Sequence, residues 1–141
     1  MEKFAFILHP LSLQDMEHLS PLMRYIPDPI IEACLKMKKP FKVSHITGIK
    51  SPYAEAEGWF IGCPLTAKQM VELPEEFVMD RIIESGKVAQ ELGAKIVGLG
   101  AFTSIVGDAG ITVAKNLDIA VTSGNSYTVA TAIQGTKQAA R

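Results

Sequence analysis

The amino-acid sequence predicts an α/β fold, a single three-layer domain built around a mainly parallel sheet. The chain has 141 residues, which is the usual length of one domain. Short β-branched runs alternate with helical patterns through its second half, an order that is typical of parallel sheets. Hydrophobic residues make up 48% of the chain and charged residues 21%, close to globular averages. We therefore expect residues 1–141 to form one domain.

The first element is a short apolar run at residues 4–8, ended by Pro10. Such a run predicts a strand that is buried on both faces. Ser12 is a suitable N-cap for a short helix reaching about Leu19. Apolar residues at helical spacing predict a second small helix over residues 30–35.

Two β-rich runs follow, at residues 41–45 and 59–63, on either side of a turn-prone stretch at 50–58. They predict a pair of strands, and Thr66 then caps a short helix. The remaining predicted elements are a helix that begins near Pro74 and ends at Gly93, a strand at 95–99, a helical segment at 111–117, a strand at 119–121, and a last helix from about residue 122 to 140.

Composition and charge argue against several classes of protein. The net charge is −1, and the only compact basic cluster is Lys36, Lys38 and Lys39, so a nucleic-acid partner is not expected. Cys34 and Cys63 are too few and too far apart for a disulfide framework or a zinc site. The sequence has neither a leader pattern nor the ~18 to 20 successive apolar residues of a membrane span, and we expect a cytoplasmic protein.

The most informative segment is residues 98–104, Gly-Leu-Gly-Ala-Phe-Thr-Ser, directly after a predicted strand. Small residues let the backbone approach a ligand closely at the carboxyl end of a strand, where open α/β sheets place their sites. A tight structural turn explains the same residues equally well. A dinucleotide fingerprint does not fit, because Thr103 occupies its third glycine position and Asp118 precedes a strand instead of following one.

A second polar segment, residues 122–128, also follows a predicted strand and begins a helix. Its hydroxyl and amide side chains meet the unpaired N–H groups of a helix start, which suits a carbonyl, carboxylate or phosphate. Simple helix capping is the alternative explanation. Parallel neighbouring strands would bring both segments to the same edge of the sheet.

Other candidates are weaker. Cys63 could act as a nucleophile, but a lone cysteine in a β run is more often a small buried apolar residue. His9, His18 and His45 have no metal-binding spacing. His9 follows the first strand and could reach the same sheet edge as the two polar segments.

These residues carry a resemblance to a known family. Gly100-Ala101-Phe102-Thr103-Ser104-Ile105 and Thr122-Ser123-Gly124-Asn125-Ser126-x-Thr128 resemble the N-terminal domain of long-chain acyl-[acyl-carrier-protein] reductases and of reductases similar to shikimate dehydrogenase. Residues 9–13 and 58–63 resemble that family's opening turn and the segment before its long helix.

The resemblance implies an oxidoreductase, in which this chain is the substrate-side domain of an NAD(P)H-dependent reductase acting on an acyl thioester or similar carbonyl compound. NAD(P)H would bind a following Rossmann domain, in the same or a separate chain, that lies outside these 141 residues. The resemblance assigns no catalytic, cofactor-binding or metal-binding residue to this chain. The substrate side of the cleft would be lined by Phe102, Thr103, Ser104, Thr122, Ser123, Gly124, Asn125 and Ser126.

Further partners follow from the same reasoning. An acidic acyl carrier protein could dock on Lys36, Lys38 and Lys39, although a solvated helix end also explains that cluster. Surface that would face a second domain favours a homo-oligomer. The alternative function is a stand-alone small-ligand-binding or regulatory module without catalytic activity.

Overall fold

The structure, a computed structural model, describes residues 1–13 and 24–140 and contains one five-stranded sheet. The strand order is β2-β3-β1-β4-β5. The strands are β1 (Glu2–Leu8), β2 (Phe41–Lys50), β3 (Glu55–Gly62), β4 (Ile96–Leu99) and β5 (Ala120–Thr122). β1 pairs in parallel with β3 and β4, β4 pairs in parallel with β5, and β2 is antiparallel to β3. The predicted α/β class with a mainly parallel sheet is confirmed.

Five α-helices connect these strands in the described residues: α1 (Asp28–Met37), α2 (Ala67–Glu72), α3 (Glu75–Glu91), α4 (Ile111–Lys115) and α5 (Asn125–Ala139). A 3₁₀ turn, Ala101–Ser104, follows β4. The helix predicted from Ser12 to about Leu19 lies, beyond Leu13, outside the described residues, as does His18.

Local sequence explains where the central helices begin. Thr66 and Gln69 form a capping box at the start of α2, in which the Thr66 hydroxyl accepts the Gln69 N–H and the Gln69 side chain accepts the Thr66 N–H. In α3, Glu75 and Glu76 occupy the first turn, where carboxylates favour the positive end of the helix dipole. Both starts agree with the sequence-based expectation.

The hydrophobic core lies on one face of the sheet. Alternate residues of the strands point into it, and α2, α3 and α4 cover them. α1 joins the same side, since the Gln69 amide donates to the Glu32 carbonyl and Arg81 donates to the Lys36 carbonyl. The strand residues buried in this core are Ala5, Ile7, Trp59, Ile61, Val97 and Leu99.

The other face of the sheet is open. Phe6 and Leu8 of β1 are each 38% exposed, and Ile96 of β4 is 41% exposed. The prediction that the first strand is buried on both faces is therefore wrong, because no described helix buries side chains against this side. The described residues form two layers, a sheet and one layer of helices, instead of the three layers predicted.

α5 has none of its side chains buried, although it is the second-longest helix. It begins at the carboxyl end of β5 and runs to Ala139. Within residues 1–13 and 24–140, no helix has the length and apolar character needed to cross a membrane.

Candidate functional site

Three loops meet at the carboxyl edge of the parallel strands. The loop after β1 contains His9, the loop after β4 is the 3₁₀ turn, and the loop after β5 leads into α5. Because β4 pairs with both β1 and β5, these loops are neighbours in space. The two polar segments of the sequence thus lie at one sheet edge, as predicted, and this is where open α/β sheets bind ligands.

The loops enclose a cleft of about 600 Å³, a volume within the ~300–1,000 Å³ range of small-molecule sites. We call it the carboxyl-edge cleft. One side is apolar and the other carries hydroxyl and amide groups. Its lining residues are Phe6, Leu8, His9, Leu11, Leu99, Gly100, Ala101, Ser104, Ser123, Gly124, Asn125 and Thr128.

Both ring nitrogens of His9 are engaged within the protein. Nδ1 lies 3.0 Å from the carbonyl oxygen of Pro10, so it carries the proton and donates. Nε2 lies 3.2 Å from the backbone nitrogen of Phe102 and accepts its N–H. These partners assign the neutral Nδ1–H tautomer to His9. The ring therefore ties the β1 loop to the 3₁₀ turn and has no nitrogen left for a substrate.

The 3₁₀ turn is held by hydrogen bonds within itself. The Thr103 hydroxyl donates to the Gly100 carbonyl at 2.7 Å, and the Ser104 hydroxyl donates to the Ala101 carbonyl at 2.7 Å. Ala101 has φ 47°, a left-handed conformation that costs an alanine roughly 1–2 kcal/mol. Since such strain persists only where the surroundings fix it, the turn has one well-defined shape beside the cleft.

The loop after β5 is organised by Thr122 and Gly124. The Thr122 hydroxyl accepts the N–H of Gly124 at 3.1 Å. Gly124 has φ 75°, which glycine adopts without strain, and it redirects the chain into α5. Asn125 and Thr128 then line the cleft from the first turn of α5. The N–H and the hydroxyl of Thr128 both donate to the Gly124 carbonyl.

The structure divides the eight predicted ligand-binding residues. Ser104, Ser123, Gly124 and Asn125 line the cleft. The other four do not: the Thr103 side chain is 1% exposed, Phe102 packs on the core, the Thr122 hydroxyl is used within its loop, and Ser126 is not among the lining residues. The apolar wall formed by Phe6, Leu8 and Leu11 was missed. The only signal in the sequence was the proximity of these residues to His9 along the chain.

The glycines of the first polar segment have a structural role that the sequence did not indicate. A Cβ atom on Gly98 would lie 2.6 Å from the Phe6 ring, and one on Gly100 would lie 2.6 Å from the Ile7 carbonyl oxygen. Both must be small because Phe6 and β1 pack over them. Asp118 precedes β5 and accepts from the Gln90 amide. Neither feature fits a dinucleotide.

Cys63 is not a nucleophile. Its side chain is fully buried, and burial raises the pKa of the thiol to about 11, although a hydrogen bond with Ser85 lowers it in part. The ordinary reading of this cysteine as a small core residue is confirmed. Among the described residues, no group of three or more His, Cys, Asp or Glu side chains could hold a metal ion.

Two other depressions have volumes of about 540 and 640 Å³. The first includes Arg24 and Leu13, which adjoin the residues outside the described ranges. The second is bordered by acidic groups, of which Asp108 is already bound to Thr112. The first combines Ser12 and Thr66, which follow β1 and β3, with charged side chains, but the Thr66 hydroxyl already accepts the Gln69 N–H.

The carboxyl-edge cleft carries no formal charge. Its described lining contains no carboxylate, ammonium, guanidinium or thiol, and its histidine is neutral and occupied. Hydroxyls, an amide and the helix start can orient a carbonyl group, while Phe6, Leu8 and Leu11 can contact an apolar tail. This set of groups can bind and orient a ligand.

No protein-family model matches this chain. Comparison with curated proteins finds Aminotransferase PigE of Serratia sp. (strain ATCC 39006), which is 38% identical over 87 residues. The match covers 62% of this chain and 10% of the aminotransferase, so the chain corresponds to a small part of that protein's length. The classification as an oxidoreductase, expected from the resemblance to reductases, is wrong in view of this similarity to an aminotransferase.

Proposed function

We propose that this chain is a small-ligand-binding domain that holds the carbonyl end of a ligand, such as an acyl thioester, in the carboxyl-edge cleft. It orients the ligand and carries out no chemical step by itself. The apolar wall accommodates the tail next to the carbonyl. The polar groups of Ser123 and Asn125 donate to the carbonyl oxygen.

The composition of the cleft lining is the observation that supports this proposal. Two polar loops converge on an apolar wall, and no described lining residue is a carboxylate, lysine, arginine or cysteine. His9 would have been the natural general base. Its two hydrogen bonds, to Pro10 and Phe102, make it a structural residue instead.

The similarity to Aminotransferase PigE favours one extension of the proposal. An aminotransferase delivers an amino group to a carbonyl carbon, so a domain that binds the carbonyl end of a ligand would supply the acceptor to such an enzyme. The catalytic groups then belong to the enzyme. The domain holds the ligand in position and keeps water away from its carbonyl group.

Calorimetric titration with octanoyl-pantetheine tests the binding, with free pantetheine as the ligand control. Ser123→Ala and Asn125→Ala should each weaken binding about 3–10-fold, since one net hydrogen bond is worth ~0.5–1.5 kcal/mol. Ser126→Ala is the matched control, because Ser126 lies in the same segment and does not line the cleft. Equal weakening by all three variants, or equal affinity for free pantetheine, would reject the proposed site.

A separate assay tests the absence of chemistry. The chain is incubated with octanal and an amino donor, and with octanoyl-pantetheine and NADPH. We expect no amine and no aldehyde above the uncatalysed background. Product formation at enzyme-like rates would show that the chain has catalytic groups of its own.

A further inference from the structure

The open face of the sheet is a continuous apolar surface. Its residues belong to four adjacent strands, and the register places them on the side opposite the core. Phe6 and Phe60 are paired in register, and their rings meet edge to face at 6.4 Å. We define the open sheet face by Phe4, Phe6, Leu8, Ile46, Phe60 and Ile96.

Such a face is unusual for a sheet of this kind. Parallel sheets occur almost only with both faces covered, because their strands are apolar on both sides. Here β3, β1, β4 and β5 are mutually parallel, and within residues 1–13 and 24–140 packed helices cover only the core side. The alternate residues of β1 and β3 on the open side, from Phe4 onward, are also free of charge.

α5 is also left without buried side chains. It has 15 residues and no buried side chain, and isolated helices of about 12–15 residues are marginal in water even with good sequences. Its sequence is poor for a helix, with Gly135 and several β-branched residues. Val129 and Ile133, one turn apart, are 57% and 53% exposed. Lys137 is its one charged residue.

We propose that the open sheet face binds a second copy of this chain, with α5 of each copy lying across the open sheet face of the other. One chain carries both halves of the contact: an uncovered parallel sheet face and an unpartnered, almost uncharged helix. A two-fold axis uses both halves twice. Phe6 and Leu8 belong to the open sheet face and also line the carboxyl-edge cleft, so α5 of the partner copy would border the ligand there. The exchange adds the missing third layer to each copy.

The available area agrees with a stable dimer. Four strands spaced ~4.8 Å apart and ~20 Å long present on the order of 400 Å². One side of a 15-residue helix, about 22 Å long and 10 Å wide, adds on the order of 200 Å². A helix buries only its own footprint, so each copy contributes on the order of 200 Å² of sheet and on the order of 200 Å² of helix in projection. Because projected area underestimates accessible surface, the contact lies at the lower end of stable interfaces, which bury ~600–1,000 Å² per partner.

The test is the mass of the whole chain in solution, measured by light scattering during gel filtration at about 100 μM. We expect twice the chain mass of 15.3 kDa. Ile96→Lys on the sheet face and Ile133→Glu on α5 should each reduce the mass to that of one chain, while the circular dichroism loses at most the helical signal of α5 and the cooperative unfolding transition is kept. Val71→Glu is the control, since Val71 is 70% exposed on α2, on the covered side of the sheet.

Mixing Ile96→Lys with Ile133→Glu tests the reciprocal arrangement. In the mixed pair both substitutions fall in one of the two helix-on-sheet contacts, where the charges are opposite, and the other contact is wild type. The doubled mass should therefore return on mixing. A wild-type mass of one chain, dimers that survive both substitutions, or monomers that do not combine on mixing would each overturn the proposal.

Discussion

His9 shows how a single residue limits what the carboxyl-edge cleft can do. Its position at a strand end marked it as a candidate, but its function depends on what its nitrogens contact. Pro10 accepts one hydrogen bond and Phe102 donates the other, so both ring nitrogens are used within the protein. The residue fixes the 3₁₀ turn in place. Sequence alone could not show this, because Phe102 is distant from His9 along the chain.

Cys63 provides a direct prediction at the residue scale. Its thiol is fully buried with a pKa of about 11, whereas Cys34 is exposed on α1. At pH 8 only about one Cys63 thiol in a thousand would be ionised, and the thiolate is the reactive form. We expect native protein to react with one equivalent of an aromatic disulfide reagent, and Cys34→Ser to react with none until denaturant is added. Rapid labelling of folded Cys34→Ser would contradict the buried position.

The pKa of Cys63 also sets a direction for stability. A thiol whose pKa is raised on folding adds to the free energy of unfolding at pH values above its ordinary pKa only until the folded thiol also ionises. Its full contribution is present below that ordinary pKa of 9.0. That contribution declines as the pH rises from about 9 toward 11, because the unfolded thiol ionises first. Cys63→Ala should weaken this part of the alkaline decline, while Cys34→Ser should leave it unchanged.

At the scale of elements, α4 depends on a carboxylate at its start. Both oxygens of Asp108 accept the Thr112 N–H at 3.0 Å, and one accepts the Thr112 hydroxyl at 2.7 Å. These hydrogen bonds lower the pKa of Asp108 below its ordinary value of 3.8. The bonds favour the ionised form, so the carboxylate stabilises the fold above that value.

We therefore expect Asp108→Ala to lower the melting temperature by a few degrees at pH 7. The difference from wild type should shrink as the pH falls through 3.8 and below, because the carboxylate is then protonated in wild type too. Asp80→Ala, on the exposed side of α3, is the control. A difference that stays constant down to about pH 2 would exclude the Asp108–Thr112 hydrogen bonds as its cause.

Helix boundaries were predictable where local chemistry sets them. The helix predicted between Pro74 and Gly93 is α3, Glu75–Glu91, since proline, early carboxylates and a glycine with φ 86° act within a few residues. The stretch 50–58 was predicted as a turn, yet β3 begins at Glu55. Pairing of Ala56 with Glu2 of β1 extends that strand, and this long-range contact has no local signal.

Half of the predicted site residues line the cleft, for a comparable reason. The alternation of strands and helices predicts which loops meet at the carboxyl edge, and it brought Ser104, Ser123, Gly124 and Asn125 together. It does not predict which side chains of a loop turn inward. Thr103 and Ser104 could not be distinguished from the sequence, but the Thr103 hydroxyl closes the 3₁₀ turn and is buried.

At the scale of the whole molecule, the sequence predicted the sheet but not its open face. An apolar run such as residues 4–8 is compatible with burial by a helix of the same chain or by another chain, because apolar side chains are needed in both cases. Ile7 and Leu8 lie on opposite faces of the sheet. Ile7 is fully buried under the helices, and Leu8 is 38% exposed on the open sheet face.

These neighbours give the last prediction. Ile7→Ala removes the same number of carbons as Leu8→Ala but leaves a cavity in the core, so it should cost about 2–5 kcal/mol. At a low protein concentration Leu8→Ala should cost about 1 kcal/mol, because the shortened side chain is replaced by water. Urea unfolding curves, recorded without ligand, measure both values.

Repeating the urea curves at high protein concentration tests whether Leu8 lies in the dimer contact. Dimerisation stabilises only the folded chain, so its contribution to the free energy of unfolding grows with protein concentration. Truncating a residue in the contact removes part of that contribution. The cost of Leu8→Ala should therefore rise from micromolar to hundreds of micromolar protein, while the cost of Ile7→Ala stays constant. Equal concentration dependence for the two variants would mean that the open sheet face is not the surface on which the copies meet.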